Sequence, residues 1–334
     1  MTKRIAVVPA GVWGTALALP ASSSGNPVAL WRPEPAWAAN FQGVHERLPG
    51  LKLPPTVTAT ADLREAVAEA DLVILAPATV ILREVCQELK PLLKPDAVLL
   101  TVSKGLEPET FLRVSEVVAH EIPSHAGRIA SLSGPNFAHE VAQGLPTGSV
   151  IAAPDESIAC FARDLMSSPR FRIYTNQDQI GVELAGALKN VIALGTGISD
   201  GLKMGDNARA SLITRGLTEI GRLGEALGAN LMTFAGLAGM GDLVLTCTGD
   251  SSRNRQAGLA IGRGKSPDAF LAETGLTVEG IRTAKAAKAM AERVGIEMPI
   301  SEAIYRVIYE GAEPLAAIDS LMGRRKKSEY IAEA

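Results

Sequence analysis

The chain has 334 residues, 47% of them hydrophobic and 21% charged, with a net charge of −3. That length and composition suit a globular protein with room for two cored domains. The slightly acidic balance excludes a basic field for nucleic acid or an anionic membrane surface. The cysteines, Cys86, Cys160 and Cys247, have neither metal spacing nor a disulfide framework, and read as buried free thiols of a reducing cytosol. The apolar run after Lys3-Arg4 is broken by Pro9 and glycines, so no signal peptide is expected. No apolar stretch is long enough to span a bilayer.

In chain order, Ile5 to Val8 reads as a buried parallel strand, and Gly11 and Gly14 open a helix through Thr15 to Leu19. Such a strand, turn and helix start bring unpaired backbone N–H groups to one point and make a phosphate cradle. The dinucleotide fingerprint asks for three glycines, and the first position here is Pro9, which has no N–H and cannot take positive φ. A locally altered cradle with weaker pyrophosphate binding is the expectation. Pro20 is expected to stop or kink the helix near Leu19, an interior proline costing about 3 kcal/mol.

Val28 to Trp31 reads as the next strand and ends at Arg32, where a cation accommodates the 2′-phosphate of NADP and an acid favours NAD. Arg32 is thus compatible with NADP without excluding NAD, or is a solvated arginine at a strand end. Residues 33 to 60 read as loop with at most one short helix around Ala36 to Arg47. A helix capped near Asp62, a strand over Asp71 to Ala76, a helix over Val80 to Leu93 and a strand over Ala97 to Val102 follow. Then come a helix over Thr110 to Glu121, a strand over Ile129 to Ser133, a short helix over His139 to Gln143 and a strand over Gly148 to Ala153. A helix over residues 157–167 and a segment over Phe171 to Thr175 complete the alternation, which argues a parallel, doubly wound sheet. Its turns after Val8, Val102 and Ser133 would share one crevice.

From Gly181 onward the apolar residues recur at helical spacing, which predicts an all-helical second domain. The division falls at residues 1–180 and 181–334, with helix breaks at Gly197–Gly205, Gly228–Asn230, Gly236–Gly241, Gly249–Asn254 and Gly275–Gly280. The run Arg324-Arg325-Lys326-Lys327 reads as a solvated helix end.

Two places carry candidate chemistry. Lys189 sits in the apolar helix Glu183-Leu184-Ala185-Gly186-Ala187-Leu188-Lys189, so it either snorkels to solvent or is held for acid–base work with its pKa lowered by burial or a neighbouring cation. The segment Gly239-Met240-Gly241-Asp242 through Ser251-Ser252-Arg253-Asn254-Arg255 is either a polar, capped helix start or a phosphate-monoester site with Arg253 forking two oxygens. The histidines His45, His120, His125 and His139 lack paired spacing and read as surface or loop residues, so no metal is expected.

Together these pieces resemble the bacterial NAD(P)-dependent glycerol-3-phosphate dehydrogenases over essentially the whole chain. The resemblance rests on Gly11-Val12-Trp13-Gly14-Thr15-Ala16, Ser103-Lys104-Gly105-Leu106-Glu107, Ser133-Gly134-Pro135-Asn136-Phe137-Ala138, Leu188-Lys189-Asn190-Val191, Gly205-Asp206-Asn207, Gly241-Asp242-Leu243, Ser252-Arg253-Asn254-Arg255 and Val278-Glu279-Gly280. It implies a Rossmann α/β domain plus an all-α domain like that of 6-phosphogluconate dehydrogenase. It also implies reversible reduction of dihydroxyacetone phosphate to sn-glycerol 3-phosphate, feeding phospholipid synthesis, in a cytoplasmic homodimer using NADP or NAD.

By the same resemblance Lys189 is the proton donor and acceptor. Lys104, Gly134, Asn136, Asp242, Ser252, Arg253 and Asn254 match substrate-binding positions, with a hydroxyl residue commoner at the place of Asn136. Gly11, Val12, Trp13, Gly14, Arg32, Lys104, Ala138, Arg253 and Glu279 match cofactor-contacting positions, Val12 standing where serine is usual. Two ammonium groups, Lys104 and Lys189, would help to depress the pKa of the latter. The competing readings are a superfamily dehydrogenase acting on a hydroxy acid, and a non-catalytic dinucleotide-binding sensor.

Overall fold

A computed structural model describes residues 2–325. The first half alternates β1 (Ile5–Val8), α1 (Val12–Ser22), β2 (Val28–Trp31), α2 (Pro35–Ala39), β3 (Val57–Thr60), α3 (Leu63–Val67), β4 (Leu72–Leu75) and α4 (Leu82–Leu89). It continues through β5 (Val98–Thr101), α5 (Val114–Glu121), β6 (Ile129–Ser133), α6 (Ala138–Ala142), β7 (Thr147–Ala152), α7 (Glu156–Met166) and β8 (Phe171–Asn176). The second half holds α8 (Gln179–Gly201), α9 (Asp206–Ala226), α10 (Leu231–Ala235), α11 (Asp242–Thr248), α12 (Arg253–Gly262), α13 (Pro267–Thr274), α14 (Glu279–Val294), α15 (Pro299–Tyr309) and α16 (Pro314–Met322). Of the basic run, Lys326 and Lys327 lie outside the described residues, and Arg324 pairs with Glu297 at 3.0 Å.

The strands make one sheet in the order β3-β2-β1-β4-β5-β6-β7-β8. β1 is buried on both faces: Ile5 and Val7 enter the core under α1, Ala6 and Val8 the core on the opposite side. That is why its sequence is a continuous apolar run rather than an alternation. The strand order reverses between β1 and β4, whose carboxyl ends therefore frame a crevice.

Several expectations are corrected. The sheet is not parallel throughout, since β6 and β7 pair antiparallel, Leu132 opposite Ile151. The intervening α6 packs its Ala138 and Ala142 against α1 at the crevice instead of carrying the chain back along the sheet, so β7 returns in the opposite sense. β3 lies within residues 33–60, which read as loop; it is a short edge strand behind Pro54-Pro55. The predicted helix there shrinks to α2, and Leu48 and Leu51 instead anchor a loop onto α1. The helix expected from Thr110 begins at Val114, because Glu109 and Phe111 take positive φ in a turn closed by the Leu106–Arg113 bridge. The helix expected over Val80 to Leu93 is a 3-10 turn, Thr79–Ile81, followed by α4.

α1 runs through Pro20 to Ser22. The missing N–H falls in the final turn, and the Ser22 hydroxyl donates to Leu19 O at 3.0 Å there. His125 is buried rather than exposed, its Nε2 3.0 Å from Lys94 O. Cys86 and Cys247 are buried, and burial pushes both thiols up to about 12. Cys160 is only half-buried, since α7 turns Ile158, Ala159 and Ala162 inward instead.

Gly197 does not break a helix. A Cβ on Gly197 would stand 2.2 Å from Arg255 O, and one on Gly258 would stand 2.0 Å from Leu194 O, so α8 and α12 cross backbone to backbone. α8, buried along most of its length, is the axis of the helical half. Gly258→Ala should therefore destabilise the protein by about 3 kcal/mol or more, at the upper end of over-packing costs. A urea-unfolding midpoint equal to wild type would show that the crossing has slack.

Candidate active site

The crevice begins at the start of α1. Gly11 is its N-cap, with no side-chain cap, and the first helical bond is Thr15 N–H to Gly11 O at 2.8 Å. The amides of Val12, Trp13 and Gly14 are therefore the orphan donors of the helix. A Cβ at Gly11 would meet nothing within 4 Å, whereas one at Gly14 would meet Pro9 O at 2.7 Å and Val7 Cγ1 at 2.8 Å. Gly11 thus leaves an open approach, and Gly14 lets the helix lie against its strand. The Val8–Pro9 peptide is cis, and Pro9 O accepts from Gly11 N–H at 2.9 Å. Pro9 removes none of the donors at 12–14, so the expected weakening of the cradle loses its physical basis.

The neighbouring cofactor candidates surround that point. Trp13 Nε1 donates to Val102 O at 3.2 Å, joining α1 to the loop after β5. Ala138, Val12 and Trp13 all pack against the small cluster of Ala16, Leu48, Leu51 and Ala142. Arg32 is paired with Glu34 at 3.2 Å and lies over the Trp37 ring at 5.0 Å. The open glycine, the free amides and the cation at the end of β2 suit a dinucleotide.

On the helical side Glu279 opens α14 and accepts from Thr79 Oγ1 at 3.3 Å. Burial pushes its carboxyl up, against the pull of Arg282 and Arg253. Arg253 is exposed at the start of α12, its side chain makes no hydrogen bond among the described residues, and it has Glu279 and Arg47 as neighbouring charges.

The densest polar cluster crosses between the halves. Asp242, in the first turn of α11, is 1% exposed; its Oδ1 accepts from Lys189 Nζ at 2.7 Å and its Oδ2 from Lys104 Nζ at 2.9 Å. Lys189, 5% exposed in the middle of α8, also donates to Thr246 Oγ1 at 2.7 Å. It is held, not snorkelling. Lys104 also donates to Gly134 O and to Asn136 Oδ1, each at 2.7 Å. Asn136 in turn donates to Ser149 Oγ at 3.0 Å, and Gly134, at φ +140, has no room for a side chain against Ser149 Cα. Burial first, and the Lys189 ammonium in smaller part, pull Lys104 down to about 8 against the attraction of Asp242.

A second chain of bonds supports the first. Asn190 Nδ2 donates to Lys104 O at 3.3 Å; Asn254 Nδ2 donates to Asn190 Oδ1 at 2.9 Å, and its Oδ1 accepts from Gly280 N–H at 2.8 Å. Asn254 therefore ties the starts of α12 and α14 to the Lys104 turn. Ser252 caps α12 by accepting from Arg255 N–H at 3.2 Å, and Arg255 is held by Asp200 at 2.8 Å.

The structure thus gathers Lys104, Gly134, Asn136, Lys189 and Asp242 into one cluster, with Asn254 one bond further out. Gly11, Val12, Gly14 and Arg32 stand at the sheet ends without a bond to that cluster, and Trp13 reaches it through Val102. Sequence reasoning placed Thr246 and Asn190 within motifs but gave them no role, and it missed Ser149. The role of Thr246 was findable, since it lies one helical turn beyond Asp242 on the same face. Among the described residues no group of histidine, cysteine, aspartate or glutamate is placed to hold a metal.

A Rossmann half and a helical half sharing a buried lysine–carboxylate–lysine cluster at the mouth of the sheet define a two-domain, dinucleotide-dependent oxidoreductase. Residues 4–159 match the family model for the NAD-dependent glycerol-3-phosphate dehydrogenase N-terminus, and residues 178–319 match that for its C-terminus. The chain belongs to the NAD-dependent glycerol-3-phosphate dehydrogenase family. It is 63% identical over 325 residues, 97% of this chain and 95% of the relative, to glycerol-3-phosphate dehydrogenase [NAD(P)+] of Symbiobacterium thermophilum. It is 48% identical to the namesake of Geobacillus thermodenitrificans, covering 98% of this chain and 96% of that one. The crystal structure of glycerol-3-phosphate dehydrogenase from Coxiella burnetii superposes with a TM-score of 0.89 at 40% identity, covering 97% of this chain and 99% of that one.

Thr246→Val keeps the shape of the cluster and removes an acceptor of Lys189. It should cost about 1–3 kcal/mol, the usual penalty for stranding a buried donor. An unchanged thermal midpoint would show that the hydroxyl contributes nothing.

Proposed function

We propose that this chain catalyses the reversible reduction of dihydroxyacetone phosphate to sn-glycerol 3-phosphate with NADPH or NADH, feeding glycerophospholipid synthesis. Residues 1–180 serve as the dinucleotide half and 181–334 as the substrate half of a cytoplasmic homodimer. Among the described residues no helix is long and apolar enough to cross a membrane.

The observation that carries the reading is the state of the two ammonium groups. An ammonium has three N–H donors. Those of Lys104 are all engaged, by Gly134 O, Asn136 Oδ1 and Asp242 Oδ2, whereas Lys189 uses two, on Asp242 Oδ1 and Thr246 Oγ1. Among the described residues Lys189 therefore has a donor left for the substrate, whereas Lys104 reaches it only by giving up a protein acceptor. A nicotinamide held in the crevice would supply the hydride to C2 of the ketone. Lys189 gives its free proton to the C2 oxygen as negative charge develops there, and takes it back in the reverse direction. Asp242 keeps the two ammonium groups side by side, so the pocket carries net positive charge toward that oxygen. Lys104 binds the same oxygen region by exchanging one of its protein acceptors. Exposed Arg253 takes the phosphate, with Ser252 and Asn254 beside it, and Gly134 and Asn136 border the substrate.

In the cofactor half the orphan amides at 12–14 take the pyrophosphate, Arg32 the adenosine end, and Glu279, Arg253 and Ala138 line the remaining path. Closure of the crevice would exclude water and align the reacting carbons. The lysine cluster is complete, which leaves the sensor alternative without an observation in its favour.

Oxidation of NADPH or NADH on adding dihydroxyacetone phosphate tests the reaction, and no oxidation with either cofactor would end the proposal. Lys189→Ala should lower turnover by about 10²–10⁴-fold, the range for a positioned acid–base group. Wild-type turnover in that variant, folded, would remove Lys189 from the chemistry. Arg253→Ala should instead raise the substrate KM about ten- to a hundredfold with turnover less affected, because a charge-assisted handle contributes to ground and transition states alike. An unchanged KM would exclude Arg253 as the phosphate ligand.

A further inference from the structure

Ser133 closes β6, is 3% exposed, and its hydroxyl reaches no hydrogen-bond partner among the described residues. Buried hydroxyls are rarely left so. Beside it is a cavity lined by Ser103, Lys104, Ser131, Ser133, Glu183 and Gly186, with about 10 Å³ available to the centre of a water molecule. That is room for one water and no more. The space exists because α8 carries glycine there: a Cβ on Gly186 would stand 2.7 Å from Ser133 Oγ and 3.8 Å from Lys104 Cγ. The hydroxyl therefore points into the gap that Gly186 leaves.

We propose that a single buried water occupies this cavity, bound to Ser133 Oγ and to the Ser103 hydroxyl, which donates to Pro77 O and keeps its lone pairs, and that through it Ser133 is a positioning residue for Lys104. The role in turnover rests on the function proposed above; the water itself does not. Ser133 immediately precedes Gly134, whose carbonyl accepts from Lys104 Nζ at 2.7 Å. On its far side Gly134 is fixed by close approach to Ser149 Cα. On the near side Glu183 is a rigid wall, since its carboxylate accepts from Arg113 Nη1 and Ser115 Oγ on one oxygen and from Ser115 N–H and Ser131 Oγ on the other, all between 2.7 and 2.9 Å. A water between that wall and Ser133 holds the Gly134 turn from the second side. The Lys104 ammonium then keeps its acceptor, and with it the aim of the whole cluster.

A high-resolution crystal structure of the wild-type protein should show one well-ordered water within hydrogen-bond distance of Ser133 Oγ. No density in the cavity would overturn the proposal whether or not the protein reduces dihydroxyacetone phosphate. Gly186→Ala fills the cavity and Ser133→Ala removes its orphan hydroxyl. Gly186→Ala should lower kcat about tenfold and shift the basic limb of the pH profile, with substrate KM within about twofold, as loss of positioning does. Ser133→Ala should move both in the same sense by less, and it decides the matter where Gly186→Ala folds poorly. Wild-type kcat and pH profile in a folded Ser133→Ala protein would also overturn the positioning role.

Discussion

The arrangement depends on one buried carboxylate. Asp242 faces no solvent, yet it lies within 2.9 Å of two ammonium groups that come from opposite halves of the chain, Lys104 after β5 and Lys189 in α8. A lone charge at that depth would be costly, and the cost is offset only because its partners are close and are themselves hydrogen-bonded. The same geometry explains why Lys189 does not snorkel: the apolar helix around it offers no route to water, and its counter-charge is inside. Two positive charges against one negative also leave the cluster net positive. In the function proposed here, the interaction that joins the halves is also the one that prepares the chemistry.

Such a cluster needs a stiff frame, and the glycines of the helical half provide it. α8 crosses α12 with no side chain between them at Gly197 and Gly258, so the backbone that bears Lys189 is locked to the helix that bears Arg253 and Asn254. The Asn190–Asn254 pair then connects that helix start to the carbonyl of Lys104. In the sheet half, Gly14 performs the equivalent task by letting α1 sit directly on β1. Lys189, the start of α12 and the start of α1 are thus each fixed within their own half by close backbone approach, while the Asp242 bridge and the Asn190–Asn254 pair join the halves through side chains.

Much of this was legible in the residues. The continuous apolar run of β1, the glycine turn and the helical spacing beyond Gly181 announced both halves, because burial on two faces and on one stripe leave different patterns. Lys189 stood out as a charge in an apolar helix. What stayed hidden has physical causes. Lys104 and Asp242 are 138 residues apart, and no local pattern marks a pair that only folding brings together. β3 is four residues long at a sheet edge, too short for a periodic signal. The antiparallel β7 depends on where α6 packs, which is a tertiary choice. Gly197 reads as the start of a helix break on propensity, and its close crossing with α12 overrode that. The stranded hydroxyl of Ser133 is a property of packing alone.

The most direct measurement of the Asp242 bridge is the pH dependence of kcat/KM for ketone reduction in the wild type and in Asp242→Asn. With Lys104 held at about 8, the ammonium is present below that pH and lost above it, so reduction should fall as pH rises through that region. Removing the carboxylate charge takes away the attraction that opposes further lowering of Lys104, so its ammonium gives up its proton at lower pH. The limb should move down by about one pH unit or more, with much reduced turnover. A limb in the same place, in a folded protein with wild-type turnover, would contradict the role of Asp242 as the bridge.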